Sequence, residues 1–374
     1  MLLTSEELAS QGLGTVFALF LVALVFLRFA TRARTSIGRK LGFFGAWLVL
    51  AFTAPFRVLS GSLGHKDSYL YKLQFLSEQG ARGVPMTRTG TGGASEPLYL
   101  LLIRTLRTVT DNPHVFFVIV FGVIAFGFVY FISRTMRADS PILPLLLIFP
   151  SWLHAFSAMR NWMAIALVLV GLTWYMRKRY AWFYVWVAIA TGFHFSAALF
   201  FALPLGAWLL FRRRGLARSV FVLVVVNALA YGSSEIMARV FAGTRYESYL
   251  STEAANVTFI LPMLTITLVG LYLVQRSDQF TEEEKRLLTL PVLVCGIITI
   301  ILFYGGYRYI GYTVVPQAII AAWSLTAIPK RFPNDVLLRA LWRLVIYLTV
   351  FVWAVATLRS VINLSGVFPV IWGA

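Results

Sequence analysis

His114-Val-Phe-Phe-Val-Ile-Val-Phe-Gly-Val-Ile-Ala-Phe-Gly-Phe-Val-Tyr-Phe-Ile132 runs nineteen residues without an acidic residue, a lysine or an arginine, and Ser133-Arg-Thr-Met-Arg137 follows it directly. At about 1.5 Å per residue a helix of that length reaches across roughly 30 Å of hydrocarbon. Lipid offers no partner to an open backbone group, so a helix is the expected form. The pattern recurs at 13–29, 41–56, 161–176, 194–211, 257–274, 287–304 and 338–357. These are continuous apolar runs, unlike the short alternating strands of a membrane barrel. Of 374 residues, 59% are hydrophobic and only 13% are Asp, Glu, Lys or Arg, far below the charged share of a soluble domain. The reading is an all-α, polytopic integral membrane protein of about 12 transmembrane helices (11–13), forming a single transmembrane domain over 1–374.

The net charge of +18 is distributed in a way that argues against nucleic acid as a partner. Bases cluster between apolar runs, at Arg32–Lys40, Arg177–Arg179, Arg212–Arg218 and Lys330–Arg331. Short basic loops stay on the cytoplasmic side. Crossings laid out on that rule put 21 of the 33 Lys and Arg residues inside and both termini outside. Two outer loops result, 59–113 and 232–256. Within the first, 96–112 is apolar but interrupted by Arg104 and Arg107, and is expected to be a half-helix or surface helix. Residues 80–95, rich in Gly, Thr and Arg, read as a flexible connection. The single cysteine, Cys295, lies in an apolar run and supports no disulfide framework. The N-terminus carries acids and no basic region, so its first apolar run is expected to be retained as a helix.

Polar residues at the outer ends of these runs are the candidates for chemistry. His194 stands at a helix junction in Thr191-Gly-Phe-His194-Phe-Ser196. It could serve as a base near neutral pH, or simply bond a nearby carbonyl or Ser196. Arg160, in Phe156-Ser-Ala-Met-Arg160-Asn161-Trp162, opens an apolar run at its non-cytoplasmic end, where the topology rule disfavours a cation. It could snorkel to headgroups, or hold a phosphate through its forked donors with Asn161 orienting the same group. Arg308 lies in Gly305-Gly-Tyr307-Arg308-Tyr309, read as a tight outer turn whose tyrosines could stack on sugar or anchor the interface. Asp67 is a candidate base or an ion-pair partner. Glu96, before Pro97, is a candidate acid or a helix N-terminal charge. Arg82 and Arg88, with Arg104 and Arg107, add outer positive charge suited to a polyanionic ligand or to lipid headgroups. The histidine spacing shows no metal-ligand pattern, so neither a metal nor a cofactor is expected.

Four segments, in order, resemble the EpsG family of Wzy-like exopolysaccharide polymerases. They are Gly64-His65-Lys66-Asp67-Ser68-Tyr69 with Tyr71, Ser95-Glu96-Pro97-Leu98-Tyr99, Ser157-Ala-Met-Arg160-Asn-Trp-Met-Ala164, and Ala190-Thr-Gly-Phe-His194-Phe-Ser196-Ala197. Weaker likeness extends through Gly305–Tyr309. Lys66 stands where a small residue is usual, Leu98 where glycine is, and the loop at 80–95 is extended. The resemblance implies a glycosyltransferase that joins oligosaccharide units carried on a polyprenyl diphosphate, at the outer face of the bacterial inner membrane. Donor and acceptor are then both lipid-linked, and a chain-length regulator and other polysaccharide-export membrane proteins are the implied partners. On this reading Arg160 and Arg308 bind diphosphate, His194 or Asp67 is the base, and Glu96 orients the acceptor sugar. Asn161, Tyr69, Tyr307, Tyr309, Arg82 and Arg88 contact substrate. A glycan ligase, or a flippase or transporter of the lipid-linked unit, is the alternative. A transporter would carry its polar sites near the midplane, whereas these lie near outer ends.

Overall fold

A computed structural model describes residues 5–53, 66–76, 96–156, 158–205, 307–331 and 333–365, with a few single positions between 208 and 286. The expected outer loop 232–256 and the apolar runs 218–231 and 287–304 lie outside the described residues. Ten α-helices are described: α1 Ser5–Arg32, α2 Ser36–Ala51, α3 Lys66–Leu76, α4 Pro97–Arg107, α5 Pro113–Thr135, α6 Ile148–His154, α7 Met159–Met176, α8 Tyr180–Phe193, α9 Tyr307–Arg331 and α10 Val336–Ser365. Two 3-10 helices, Leu143–Leu147 and Phe195–Ala202, join them, and there is no strand among the described residues.

The expectation of about twelve crossings is overturned. Among the described residues three helical stretches are long and apolar enough to cross a membrane: Gly14–Arg32, Pro113–Thr135 and Val336–Leu358. Several apolar runs instead become short helices, over Leu143–His154, Tyr180–Phe193 and Phe195–Leu205. Fourteen helical residues rise only about 21 Å, well short of the hydrocarbon thickness. The prolines explain part of this. Pro144 sits in a 3-10 turn and Pro150 in the seven-residue α6, and neither can donate to a helical ladder. α7 has the length but opens on Arg160 and Asn161. The arginine-interrupted segment 96–112 contributes α4, eleven residues long, with Tyr99, Leu100 and Ile103 buried and Arg104 and Arg107 in its last turn.

The chain divides into two compact units. The first comprises Met1–Ala138, Phe149–Ala198 and Leu358–Ala374. Its centre is α7, in which every residue except Arg160 and Trp174 is buried. α5 lies against it so closely that a Cβ at Gly127 would stand 2.4 Å from the carbonyl oxygen of Ala166. Phe128 stacks on Trp162 across the same contact, with ring centres 5.6 Å apart. α2 is tied to α5 by Trp47, whose Nε1–H donates to the Gly122 carbonyl at 2.9 Å.

At its far end α7 closes with the Arg179 N–H donating to the Trp174 carbonyl at 3.0 Å, while Lys178 adopts φ 61°. That tight reversal is a helix C-terminal motif normally taken by glycine. It sends α8 back along α7, so residues 192–196 return to the level of Arg160 and Asn161. α4 meets α8 there, and a Cβ at Gly192 would stand 2.6 Å from the Leu98 side chain.

The second unit comprises Asp139–Ile148 and Leu199–Thr357. α9 is its buried helix, with Thr313, Gln317 and Ser324 inside it, and Tyr312 packs on Phe200 at 4.9 Å. Lys330 Nζ pairs with Asp139 Oδ2 at 3.2 Å on its surface.

Candidate active site at the head of the buried helix

Arg160 and Asn161 occupy the first turn of α7, ahead of an apolar run from Trp162 to Leu172. Their side chains engage different partners. Arg160 Nη1 donates to Glu96 Oε2, and both residues lie largely out of solvent. Glu96 is the N-cap residue of α4, where an acid could have bonded the helix's own free N–H groups. It makes no such bond, and Pro97 removes one of those donors, so the carboxylate is available to the guanidinium.

Two tyrosines wall the cation. Arg160 Cζ lies 5.5 Å from the ring centre of Tyr99 and 5.9 Å from that of Tyr71, within cation–π range of both. Helix packing holds these rings. Tyr71 meets Tyr99 edge-on at 6.1 Å, Tyr99 meets Phe116 at 6.4 Å, and Phe75 stacks on Phe116 at 5.1 Å. α3, α4 and α5 thereby lock together around the arginine. Burial, and then the neighbouring Tyr71, push the Tyr99 hydroxyl well above the usual tyrosine range, so it remains a neutral donor. Both Tyr99 Oη and Arg160 Nε are buried without a hydrogen-bond partner among the described residues. An unsatisfied buried donor costs on the order of 1–3 kcal/mol. One on the arginine and one on the tyrosine beside it mark a place with donors to spare for an oxygen-rich anion.

The second arm runs through Asn161. Ser196 Oγ–H donates to Asn161 Oδ1 at 3.0 Å, and the same oxygen lies 2.7 Å from His194 Nδ1. His194 is the C-cap of α8, with extended backbone at φ −158°, and begins the turn into the Phe195–Ala202 3-10 helix. The Ser196 N–H also reaches Nδ1, at a longer 3.3 Å. The Glu96–Arg160 pair and the Asn161–Ser196–His194 contacts therefore start from neighbouring residues in the first turn of α7, all within the first unit.

Of the residues singled out from sequence, the structure brings together Glu96, Arg160, Asn161 and His194. The Ser196 contact is the bland alternative for the histidine, and it is realised. Asp67 and Tyr69 lie in the first turns of α3 and Tyr307, Arg308 and Tyr309 in the first turn of α9, but their side chains lie outside the described residues. Tyr307–Tyr309 open a helix rather than forming the expected turn. Arg82 and Arg88 lie outside the described residues. Tyr71, Tyr99 and Ser196 were not singled out as site residues. The available signal was spacing: Tyr99 follows Glu96 by three residues and Ser196 follows His194 by two. Among the described residues no three His, Cys, Asp or Glu side chains gather as a metal ion would require.

One family model matches, that of the EpsG family, over residues 40–370. No curated protein and no solved structure matches the chain.

Proposed function

We propose, from the premise that this chain belongs to the EpsG family, that it polymerises oligosaccharide repeat units carried on a polyprenyl diphosphate, at the outer face of the bacterial inner membrane. Family membership supports a Wzy-like polysaccharide polymerase in general. The lipid-diphosphate substrate and the roles below are the finer reading. The observation that carries it is the arginine at the head of α7, held by Glu96 between two tyrosine rings and still carrying a buried Nε–H with no partner among the described residues.

In the proposed reaction a hydroxyl of the acceptor sugar attacks the anomeric carbon of the donor. The new C–O bond forms as the bond from that carbon to the diphosphate breaks, and the lipid diphosphate leaves with the electron pair. Arg160 meets the growing charge with donors already in place, which lowers the barrier more than it tightens ground-state binding. Tyr99 Oη–H stands beside it as a neutral donor. The acceptor's proton passes to His194. A single displacement needs no nucleotide sugar and no ATP, because the diphosphate is itself the leaving group.

Glu96 gains a second role beside orienting acceptor sugar. It fixes the guanidinium by one nitrogen, which limits the ordering cost when substrate arrives. Asp67 remains the alternative base, and Tyr69, Arg82, Arg88, Tyr307, Arg308 and Tyr309 are proposed substrate contacts on residue chemistry and family pattern alone. The test is incubation of the purified full chain with a defined polyprenyl-diphosphate oligosaccharide. Longer lipid-linked products are expected. Hydrolysis without elongation, or movement of intact unit across a vesicle membrane, would overturn the reading.

A further inference from the structure

The second unit holds a polar group that the proposed reaction does not use. Gln317 lies within α9 and is 0% exposed, and neither its Oε1 nor its Nε2 has a hydrogen-bond partner among the described residues. Other polar side chains of the same helix turn back onto its backbone. The Ser324 hydroxyl donates to the Ile320 carbonyl at 2.7 Å, and the Thr326 hydroxyl to the Trp323 carbonyl at 3.0 Å. Each unsatisfied buried polar atom costs on the order of 1–3 kcal/mol, and here both ends of one amide are open. Pro316, beside it, has no N–H for the helical ladder, so the backbone is one bond short at the same level. Thr313, one turn earlier on the same side of the helix, is also 0% exposed.

The amide limits what it can hold. It sets an acceptor and a pair of donors side by side. An anion on Nε2 would be repelled by the neighbouring Oε1, and a cation on Oε1 by the Nε2 hydrogens. Buried charge also needs an opposite charge. Residues 310–329 contain no Asp, Glu, Lys or Arg, and neither does Leu143–Leu147, the 3-10 segment packed on α9. An apolar group would leave both amide atoms unsatisfied. One neutral oxygen bearing a proton meets both, donating to Oε1 and accepting from Nε2–H. We propose that Gln317 is the binding group for a hydroxyl enclosed beside α9 in the second unit. Two sources carry that chemistry, a water molecule and a sugar hydroxyl of a lipid-linked oligosaccharide. Full enclosure fits water in the resting protein, because buried waters sit against polar groups that the chain leaves unsatisfied. A sugar hydroxyl reaches Gln317 only if α9 opens on binding. The site stands without the polymerase reading, and only the sugar source rests on it.

The test uses the full chain, labelled with 15N in its glutamine side chains, reconstituted in lipid and examined by solid-state NMR. The Gln317→Met spectrum identifies the residue's signal. Without substrate, magnetisation transfer from water to the Gln317 amide nitrogen is expected. A 13C-labelled polyprenyl-diphosphate oligosaccharide is then added. Transfer from sugar to that nitrogen would assign the sugar source, and a retained water signal without it would assign the water. Either result supports the site. Transfer from neither, or contact with another side chain of this chain in their place, would overturn it. Stability gives a second reading. Methionine keeps nearly the shape of glutamine without its amide, so removing a hydrogen-bonded amide should lower Tm by about 2 °C or more. An orphaned amide predicts the opposite, and a Tm of Q317M at or above the parent's would overturn the site. A water-bound Gln317 in a protein that elongates no oligosaccharide would leave the site standing and remove the polymerase reading instead.

Discussion

Glu96 and Arg160 stand 64 residues apart in the chain and close an ion pair at the head of α7, with the carboxylate almost fully buried and the guanidinium largely so. The pair separates two demands that sequence alone leaves merged. Arg160 must be tolerated in a nearly dry setting, and Glu96 makes that tolerable. Arg160 must also retain donors for a ligand, and its Nε–H, without a partner among the described residues, does so.

Removing one partner should therefore unfold as well as inactivate. Arg160→Ala leaves the Glu96 carboxylate buried and uncompensated, a loss on the order of 3 kcal/mol. The expected outcome is a clearly lower Tm in detergent together with lost turnover. Glu96→Gln/Arg160→Gln, which removes both charges, should recover most of the Tm and none of the activity. If the double variant is no more stable than R160A, the pair is not what holds this corner.

Arg160→Lys separates charge from shape. Lysine keeps a cation for Glu96, so membrane level and Tm should stay near the parent's. It loses the planar fork and the spread of donors between the tyrosine rings. Turnover of the lipid-linked unit should fall about a hundredfold, the cost of a lost charge-stabilising donor in other enzymes. A fully active R160K would reduce Arg160 to an interfacial cation.

His194→Ala should abolish polymerisation with little change in Tm, since the ring is only half-buried. His154→Ala serves as the control. His154 closes the seven-residue α6, and its loss should leave most of the turnover. Equal effects from the two variants would remove the distinction on which the base assignment stands.

Orientation can be checked at α5, which is long and apolar enough to cross on its own. Asp111 precedes it and Arg134 and Arg137 lie at its other end. With Cys295 replaced, an impermeant thiol reagent applied from outside the cell should label Asp111→Cys and spare Arg137→Cys. The reverse pattern would put the head of the site on the cytoplasmic side and exclude outer-face chemistry.

The sequence made the helical, membrane-embedded character legible, because uncharged runs such as 114–132 leave little else for the backbone to do. It did not make the number of crossings legible. Hydropathy reads composition, and Pro144, Pro150 and the 3-10 segments decide length. In the site, Arg160 and His194 stood out because a cation and an imidazole are anomalous beside apolar runs. Their partners across the fold did not. A glutamate before a proline reads as a helix-start charge until packing brings it to Arg160, and Ser196, legible as a partner for His194, is not legible as one for Asn161. Tyr71 and Tyr99 were hidden for a similar reason, since a tyrosine near a membrane surface has an ordinary use as an anchor.

Gly192 offers a test of how packing sets the chemistry. It lies on α8 two residues before His194 and faces the Leu98 side chain of α4, and Leu98 lies two residues after Glu96. A Cβ there would come within 2.6 Å of Leu98 carbons, closer than van der Waals contact allows. The obstacle is a side chain, so the contact can be relieved by turning Leu98 or shifting α4 outward. Gly127 presents the harder case, because the atom facing it is the Ala166 carbonyl oxygen, at 2.4 Å, and backbone must move. Overpacking of a tight contact costs roughly 1–3 kcal/mol. Gly127→Ala should fall at the upper end, seen as a lower Tm and reduced membrane level. Gly192→Ala should cost less stability but disproportionate activity, since a small outward shift of α4 carries Glu96 from Arg160 and loosens the held guanidinium. A displacement of about 1 Å can cost a hundredfold in rate where reacting groups must be aligned. The measurement is turnover per folded molecule for each variant beside its Tm. If G192A loses activity only in proportion to its stability, the register of α4 on α8 does not govern the site.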